Sequence, residues 1–306
     1  MYKLICQAAK IIDKEIRVIP ADANKNVLSY YMSDEFKTIP KIKDQYLSEM
    51  IEIFGENKIG IIFPSRDGEL EFWAKYKDKL KIIGVDVIVS PLNSINVCLD
   101  KLEFYQFGYR LGFPFIKTFK DIKGASSDDK YVVKERFGDG SKNIFLNVTK
   151  SEAIGIAKNL PGCVFQPFIE GREFSADAWL DKYSKVKGII LRTRDLTFDG
   201  ESQVTTTFRN KEIESKISNI LNALKLNGPV MMQGIINKNA ELHIIECNPR
   251  FGGASSLSVK AGLDSIYWSI YESFRYDVNK LTFDRIDKEV RQIRIPNDTY
   301  RYSYNF

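Results

Sequence analysis

Within residues 230–253, VMMQGIINKNAELHIIECNPRFGG, stand four side chains whose chemistry is complementary: Gln233, Glu246, Asn248 and Arg250. Two β-prone apolar runs, 230–237 and 241–247, flank the turn-rich NKNA and predict a hairpin. Pro249 ends the second strand, because proline offers no N–H to a ladder. Side chains alternate along a strand, so Glu246 and Asn248 share a face. Gln233 joins them if the connecting loop holds an even number of residues. Arg250 follows two positions beyond Asn248. Three oxygen donors suit Mg²⁺ carrying nucleotide phosphates. A guanidinium beside them suits phosphate or carboxylate oxygens between which charge moves. An ordinary hairpin with a solvated polar face has the same spacing, so this stretch alone leaves both readings open.

Two further stretches invite the same question. Residues 131–135 (YVVKE) and 143–148 read as strands joined by Arg136-Phe-Gly-Asp-Gly-Ser-Lys142. Gly138, Gly140 and Ser141 would make a flexible tip whose backbone N–H groups can cradle phosphate. A plain hairpin turn explains the glycines equally, and no Gly-Lys-Ser/Thr opens a helix here as in a P-loop. Pro64-Ser-Arg-Asp-Gly-Glu69 follows the buried-strand run 60–63, where ligands of parallel α/β sheets sit. It also reads as a helix start capped by Asp67 or Ser65. The lone His243 is expected on the strand face opposite Glu246, which argues against a histidine-based triad.

The elements that must position these residues alternate from the start. Helices are expected over 2–13, 28–32, 45–54 and 70–76, and short strands over 16–20, 36–40 and 60–63, with a strand pair in 81–89. That alternation predicts a parallel α/β sheet. Such a domain ordinarily opens on a strand, whereas this sequence opens on a helix, so its sheet should carry an exposed or differently filled slot. Farther on come a helix over 101–110, a strand over 115–119, and a helix over 151–159 with a capping box at Thr149 and Glu152. Strands over 163–169, 173–180 and 186–192 precede a polar, Thr-rich loop, 193–207. An amphipathic helix over 211–224 leads to the hairpin, helices over 255–261 and 265–276 follow, and 281–306 reads as an edge strand or tail. The expected division is 1–95, 96–280 and 281–306.

The totals narrow the class. At 306 residues, 44% hydrophobic and 28% charged, the chain is an ordinary globular protein. Its net charge of +5 is mild and its basic residues are interspersed, so nucleic acid is not indicated. No stretch reaches the roughly 20 apolar residues of a membrane helix. Cys6, Cys98, Cys163 and Cys247 form no close pair in sequence, which fits a reducing cytoplasm rather than a disulfide framework.

Taken in order, Lys101 opening a helix, Lys134 ahead of the glycine loop, QPFIEGREF and IIECNPRFGG resemble the ATP-grasp superfamily, most closely its carbamoyl-phosphate-synthase large-subunit-like branch. The resemblance spans about residues 97–275, with 1–95 similar to the Rossmann-like domain that precedes the two-lobed grasp domain. It implies an ATP-dependent, ADP-forming carboxylate–amine ligase using ATP and Mg²⁺, with Mn²⁺ as a substitute, on small-molecule carboxylate and amine substrates, and a homodimer. Lys101 and Lys134 would contact phosphates, the loop of Gly138, Gly140 and Ser141 would close over them, and Gln166, Phe168 and Ile169 would lie at the adenine. Glu173 would hold the ribose, Gln233, Glu246 and Asn248 the metal, and Arg250 the transferring phosphoryl group. Gln166 and Gln233 stand where relatives often carry an acid. Ser65, Arg66, Asp67 and the 193–207 loop, with Arg192 and Arg194, are expected to line the substrate site, where arginines suit an acidic acceptor. Bicarbonate phosphorylation and a non-catalytic nucleotide-binding subunit are the alternatives.

Overall fold

The computed structural model describes residues 1–300 apart from Asp128, Asp139, Ser141, Lys142, Asn297 and Thr299. Its first part alternates helix and strand as expected: α1 (Tyr2–Ile12), β1 (Ala21–Asp22), α2 (Leu28–Met32), β2 (Lys37–Thr38), α3 (Leu47–Glu56), β3 (Ile61–Ile62), α4 (Asp67–Ile82) and β4 (Asp86–Val87). β1 pairs with β2 and β3 with β4, both parallel, and no ladder joins the two pairs among the described residues. Between them, Leu4, Ile5, Ala8, Ala9 and Ile12 of α1 form one apolar cluster with Ile16, Val18, Ile61 and Phe63. The anticipated slot is thus flanked by a helix, and residues 2–12 form no strand. The run 16–20 stays out of the ladder, which starts only after Pro20. α4 continues past the expected 70–76, so 81–89 yields one short strand instead of two, turned at Gly84 with φ +85.

Two helices, α5 (Leu92–Leu99) and α6 (Lys101–Arg110), follow, separated by Asp100. The Asp100 carboxylate accepts from Leu102 N (3.0 Å) and Glu103 N (3.3 Å) and so caps α6. The run 115–119 is not a strand. Its ends make isolated bridges to different sheets, Phe115 to Ile244 and Phe119 to Phe165. This linker therefore ties the two lobes that follow.

The smaller lobe is an antiparallel sheet of β5 (Lys130–Glu135), β6 (Phe145–Thr149) and β7 (Cys163–Pro167) in the order β6-β5-β7, backed by α7 (Lys150–Ala157). The capping box forms as expected: Glu152 N donates to Thr149 Oγ1 (3.3 Å) and Thr149 N to Glu152 Oε2 (2.7 Å). The larger sheet comprises β8 (Gly171–Leu180), β9 (Val186–Thr193), β10 (Leu196–Phe198), β11 (Glu201–Phe208), β12 (Gly228–Asn237) and β13 (Leu242–Asn248). Their order is β10-β11-β9-β8-β12-β13, with β14 (Arg291–Ile293) added against β11, so the tail supplies an edge strand. The 193–207 segment is accordingly a hairpin rather than a loop. Its threonines and Val204 are β-prone, and Asp199 and Gly200 take the positive φ its turn needs. α8 (Lys211–Leu224) lays Ile213, Ile217, Ile220, Leu221 and Leu224 against Phe174, Ala176, Leu191, Met232 and Ile244 on one sheet face. α9 (Ser256–Lys260) and α10 (Ser265–Ser273) lie between β13 and β14, and α10 packs on α1.

The other face of that sheet is where the polar residues gather, and a bulge decides which. Near the turn, Ile235 pairs with His243 and Gly234 with Ile244; beyond it, Gln233 pairs with Glu246 and Met231 with Asn248. Asn237 N donates to Glu241 O (3.1 Å), so the connecting turn is the odd Lys238-Asn239-Ala240. An odd turn alone would set Gln233 opposite Ile245. The bulge at Ile245 restores the shared face of Gln233, Glu246 and Asn248, for a reason other than loop parity. It also brings His243 to that face, contrary to expectation, but at the far end of the strand, where it meets Asn237 Nδ2 at 3.2 Å.

Candidate active site

Registers across four strands align Arg192 with Ser175, Ser175 with Gln233, and Gln233 with Glu246. A parallel row sets Asp177 beside Met231 and Met231 beside Asn248. Over these rows lies a cleft of about 690 Å³, closed on its other side by β5, β7 and the glycine loop. Lys101, Lys134, Gly138, Gly140, Gln166, Phe168, Ile169, Glu173, Gln233, Glu246, Asn248 and Arg250 all line it. Ser141, the remaining residue expected here, lies outside the described residues.

At the glycine-loop end, Lys101 Nζ donates to Gly138 O (2.8 Å). Asp100 takes Arg136 in a two-pronged pair, Nε at 2.7 Å and Nη2 at 2.5 Å. One aspartate therefore caps α6 and moors the base of the loop. Lys134 is buried, and desolvation pushes its amine down from 10.5 to about 8; Glu246 and Glu173 pull it back up, while Lys101 adds to the fall. Neither lysine has a carboxylate in ion-pairing distance among the described residues. On β7, Gln166 Nε2 donates to Thr118 Oγ1 (2.9 Å), and just past its end Phe168 N donates to Lys130 O (2.8 Å), which fixes the segment that leads from one lobe into the other.

On the sheet, Asn248 Nδ2 donates to Glu246 Oε1 (3.2 Å), leaving Asn248 Oδ1 and Glu246 Oε2 uncommitted by that contact. Gln233 stands directly across the ladder. No three His, Cys, Asp or Glu side chains gather in metal-binding range among the described residues. The protein's own offer is one carboxylate and two amides, a set that suits a hard cation completed by ligand oxygens.

The rest of the cleft is built differently, because each arginine lining it already holds a carboxylate. Arg192 Nε donates to Asp177 Oδ2 (2.8 Å), with side chains 1% and 3% exposed. Ser255 and Ser258 add their hydroxyls to Asp177 at 2.7 and 2.6 Å, and Gly252 N donates to Ser255 Oγ (3.0 Å). This knot anchors the chain that carries Arg250. Arg194 Nε donates to Glu173 Oε2 (3.1 Å). Arg250 gives Nε to Asp67 Oδ1 (2.7 Å) and Nη2 to Asp67 Oδ2. Three paired arginines withdraw the ground for expecting an acidic acceptor. Asp67, Arg192 and Arg194 line the cleft as expected, whereas Ser65 and Arg66 do not; Arg66 pairs with Asp22 at 3.2 Å. Asp177, Ser255 and Ser258 were missed. Only the alternation of EFSADAWL, which sets Asp177 on the face of Glu173, offered a signal. Cys98 and Cys247, distant in sequence, meet as buried thiols, and burial pushes the Cys247 thiol up.

Residues 98–254 match the ATP-grasp domain family. The chain belongs to that family. Residues 2–88 match the PylC-like N-terminal domain, so the resemblance read from the sequence holds for both parts. Among solved structures, this ATP-grasp protein is similar to the L-amino acid ligase of Bacillus licheniformis, at 16% identity over 96% of this chain and 77% of that one, TM-score 0.73. It is also similar to the biotin carboxylase domain of Hydrogenobacter thermophilus 2-oxoglutarate carboxylase, a dimer holding MgADP, ADP and bicarbonate, at 17% identity over 92% and 70%, TM-score 0.71. A third is the N5-carboxyaminoimidazole synthetase of Staphylococcus aureus with ADP, at 17% identity over 90% and 74%, TM-score 0.69. These likenesses are of fold. No curated protein matches the sequence.

Proposed function

We propose that this ATP-grasp protein is an ADP-forming ligase that activates a carboxylate as an acyl phosphate and passes the acyl group to an amine or ammonia. One observation carries the reading: a single cleft holds two lysines with no carboxylate partner among the described residues at its glycine-loop end and the Gln233–Glu246–Asn248 group across from them. Buried cations with no carboxylate partner among the described residues call for an anion, and nucleotide phosphates meet that need. In this reading Gln166, Phe168 and Ile169 border the adenine and Glu173 reaches the ribose. Lys101 and Lys134 would hold phosphates beneath Gly138 and Gly140, and Gln233, Glu246 and Asn248 would hold the metal. A Mg²⁺ held by these residues would supply charge neutralisation to the phosphates. The neutral Gln233 makes that hold weaker than an acid would.

The chemistry then rests on placement and charge. A substrate carboxylate oxygen bonds to the γ-phosphorus while the bond to ADP breaks. Arg250 balances negative charge on the transferring group. The amine nitrogen next adds to the acyl carbon, loses a proton, and phosphate leaves with the C–O electron pair. Similarity to an L-amino acid ligase supports an amine acceptor, and similarity to a domain bound to bicarbonate keeps bicarbonate as the second candidate. The dimer named for that domain supports a dimer here, and four free cysteines fit the cytoplasm. No helix among the described residues is long and apolar enough to cross a membrane.

The test is ADP release from Mg·ATP against a matrix of carboxylates and amines that includes bicarbonate. Turnover that requires one organic carboxylate supports the ligase reading. Turnover with bicarbonate alone replaces it with bicarbonate phosphorylation. Mg·ATP binding with no ADP from any pair, at full occupancy, favours the non-catalytic subunit.

A further inference from the structure

We infer that Asp67 is the positioning residue for Arg250, so that the N-terminal part of the chain completes the phosphoryl-transfer end of the cleft. The inference rests on the ligase reading above for its kinetic consequence, but not for its geometry. Asp67 opens α4, and its side chain is 8% exposed on the cleft wall. Its neighbour Glu69 sets its aim: Glu69 Oε1 accepts from Ser65 N (2.7 Å) and Arg66 N (2.9 Å), and Oε2 from Trp73 Nε1 (3.2 Å). Glu69 thereby satisfies the two N–H groups just ahead of the helix, while the Asp67 carboxylate reaches across to a residue 183 positions away.

The pairing is edgewise. Of the five guanidinium N–H groups, one on Nε and one on Nη2 go to Asp67, and one on Nη1 goes to Phe251 O at 3.3 Å. Two remain. Fixing one edge of a planar fork fixes the direction of the other, which is how a carboxylate can orient an arginine without spending its whole donor set. Behind it, the Asp177–Ser255 contacts hold the backbone of the same segment. Backbone is held from the sheet, guanidinium from α4. Misplacement of a charge stabiliser by about 1 Å costs on the order of 10²-fold in rate, so this orientation is worth as much as the charge itself.

The experiment reads the guanidinium directly. In ¹⁵N-labelled protein, Arg250 should give a slowly exchanging Nε–H resonance, assigned by its absence in Arg250→Lys. Asp67→Asn should lose or shift it while leaving the backbone spectrum in place. An unchanged resonance overturns the inference, with or without a known substrate. Mg·ATP added to the same samples tests the ligase reading separately: an intact Arg250 signal with no response to Mg·ATP sinks that reading and spares this one. With the carboxylate–amine pair that supports turnover, Asp67→Asn should lower kcat about 10²-fold with KM for ATP unchanged. Asp67→Asn combined with Arg250→Ala should be no slower than Arg250→Ala alone, because both act through one group. Multiplying losses, or a raised KM for the amine at unchanged kcat, would make Asp67 a substrate contact instead. Should Asp67→Asn fail to fold, Asp67→Glu keeps the charge, displaces the fork, and is held to the same outcomes.

Discussion

The two ends of the cleft handle positive charge in opposite ways. At the glycine loop, Lys101 and Lys134 have no carboxylate within ion-pairing range among the described residues, and burial holds the Lys134 amine down at about 8. Toward the far end Arg192 and Arg250 hold Asp177 and Asp67, and on the other side of the Gln233 row Arg194 holds Glu173. The difference follows from the side chains. A lysine is a point charge on a flexible stem and can wait for a mobile anion; an arginine is a rigid fork that keeps its aim only when one edge is tied. One end is left incomplete for a ligand, and the other is assembled in advance.

The sharpest way to break this comparison is to strip an arginine of its partner. Asp177→Ala leaves the Arg192 charge buried and also frees Ser255 and Ser258. The cost should be about 3–5 kcal/mol, the usual penalty for orphaning one half of a buried pair. Urea unfolding measures it, and a loss below about 1 kcal/mol would mean that pairing does not hold this end together. Next in size, Arg250→Ala and Glu246→Ala should lower ADP formation by about 10²–10³ or more. Their circular dichroism spectra should stay native, because both side chains line the cleft rather than the core. Near-normal turnover in either variant would remove it from the chemistry.

What the sequence could and could not reveal follows the same divide. Residues of the lysine end lie in short continuous stretches, where a strand, a glycine loop and a helix start are local features. The arginine end depends on partners 15 positions apart for Arg192–Asp177 and 183 apart for Arg250–Asp67, which no local pattern records. Its key geometric device, the bulge at Ile245, leaves no mark in IIEC, and without it parity would have hidden Gln233 from Glu246. Of the N-terminal strands, 36–40 and 60–63 enclose shorter ladders, 16–20 falls just ahead of one, and 81–89 holds one strand instead of two. Their ladders are only two residues each, and solitary apolar runs such as 16–20 look alike in or out of a ladder. The Thr-rich 193–207 segment was read as a loop on polarity, although threonine is equally at home on an exposed strand.

Lys134 tests the lysine end from the other side. Lys134→Met removes a buried amine that has no carboxylate in ion-pairing range among the described residues, so the empty protein should become more stable, by on the order of 1–3 kcal/mol. The same change should raise the apparent KM for ATP about tenfold, through loss of one phosphate contact of roughly 1.5 kcal/mol. Opposite signs on stability and affinity are the signature of a residue kept for its ligand. Destabilisation by Lys134→Met would show instead that the amine is satisfied by the fold.

The smallest effect is the pH dependence of that amine. In the folded, empty protein it titrates near 8, against 10.5 in an unfolded chain. Between those values the unfolded chain binds more protons, so this group makes the empty protein more stable as pH rises from about 8 toward 10.5, and the gain is lost as pH falls through 8. Nucleotide affinity must run the other way. Below about 8 the ammonium is ready for phosphate; above it, binding has to recapture a proton, and the phosphates themselves pull the amine up. ATP affinity should therefore be flat below about 8 and fall above it. Calorimetry near pH 8 in buffers of different ionisation enthalpy should report uptake of a fraction of a proton per ATP. Lys134→Met should abolish both the fall and the uptake. Uptake that survives in that variant would place the titrating group elsewhere, and the lysine end would then owe its readiness for phosphate to Lys101.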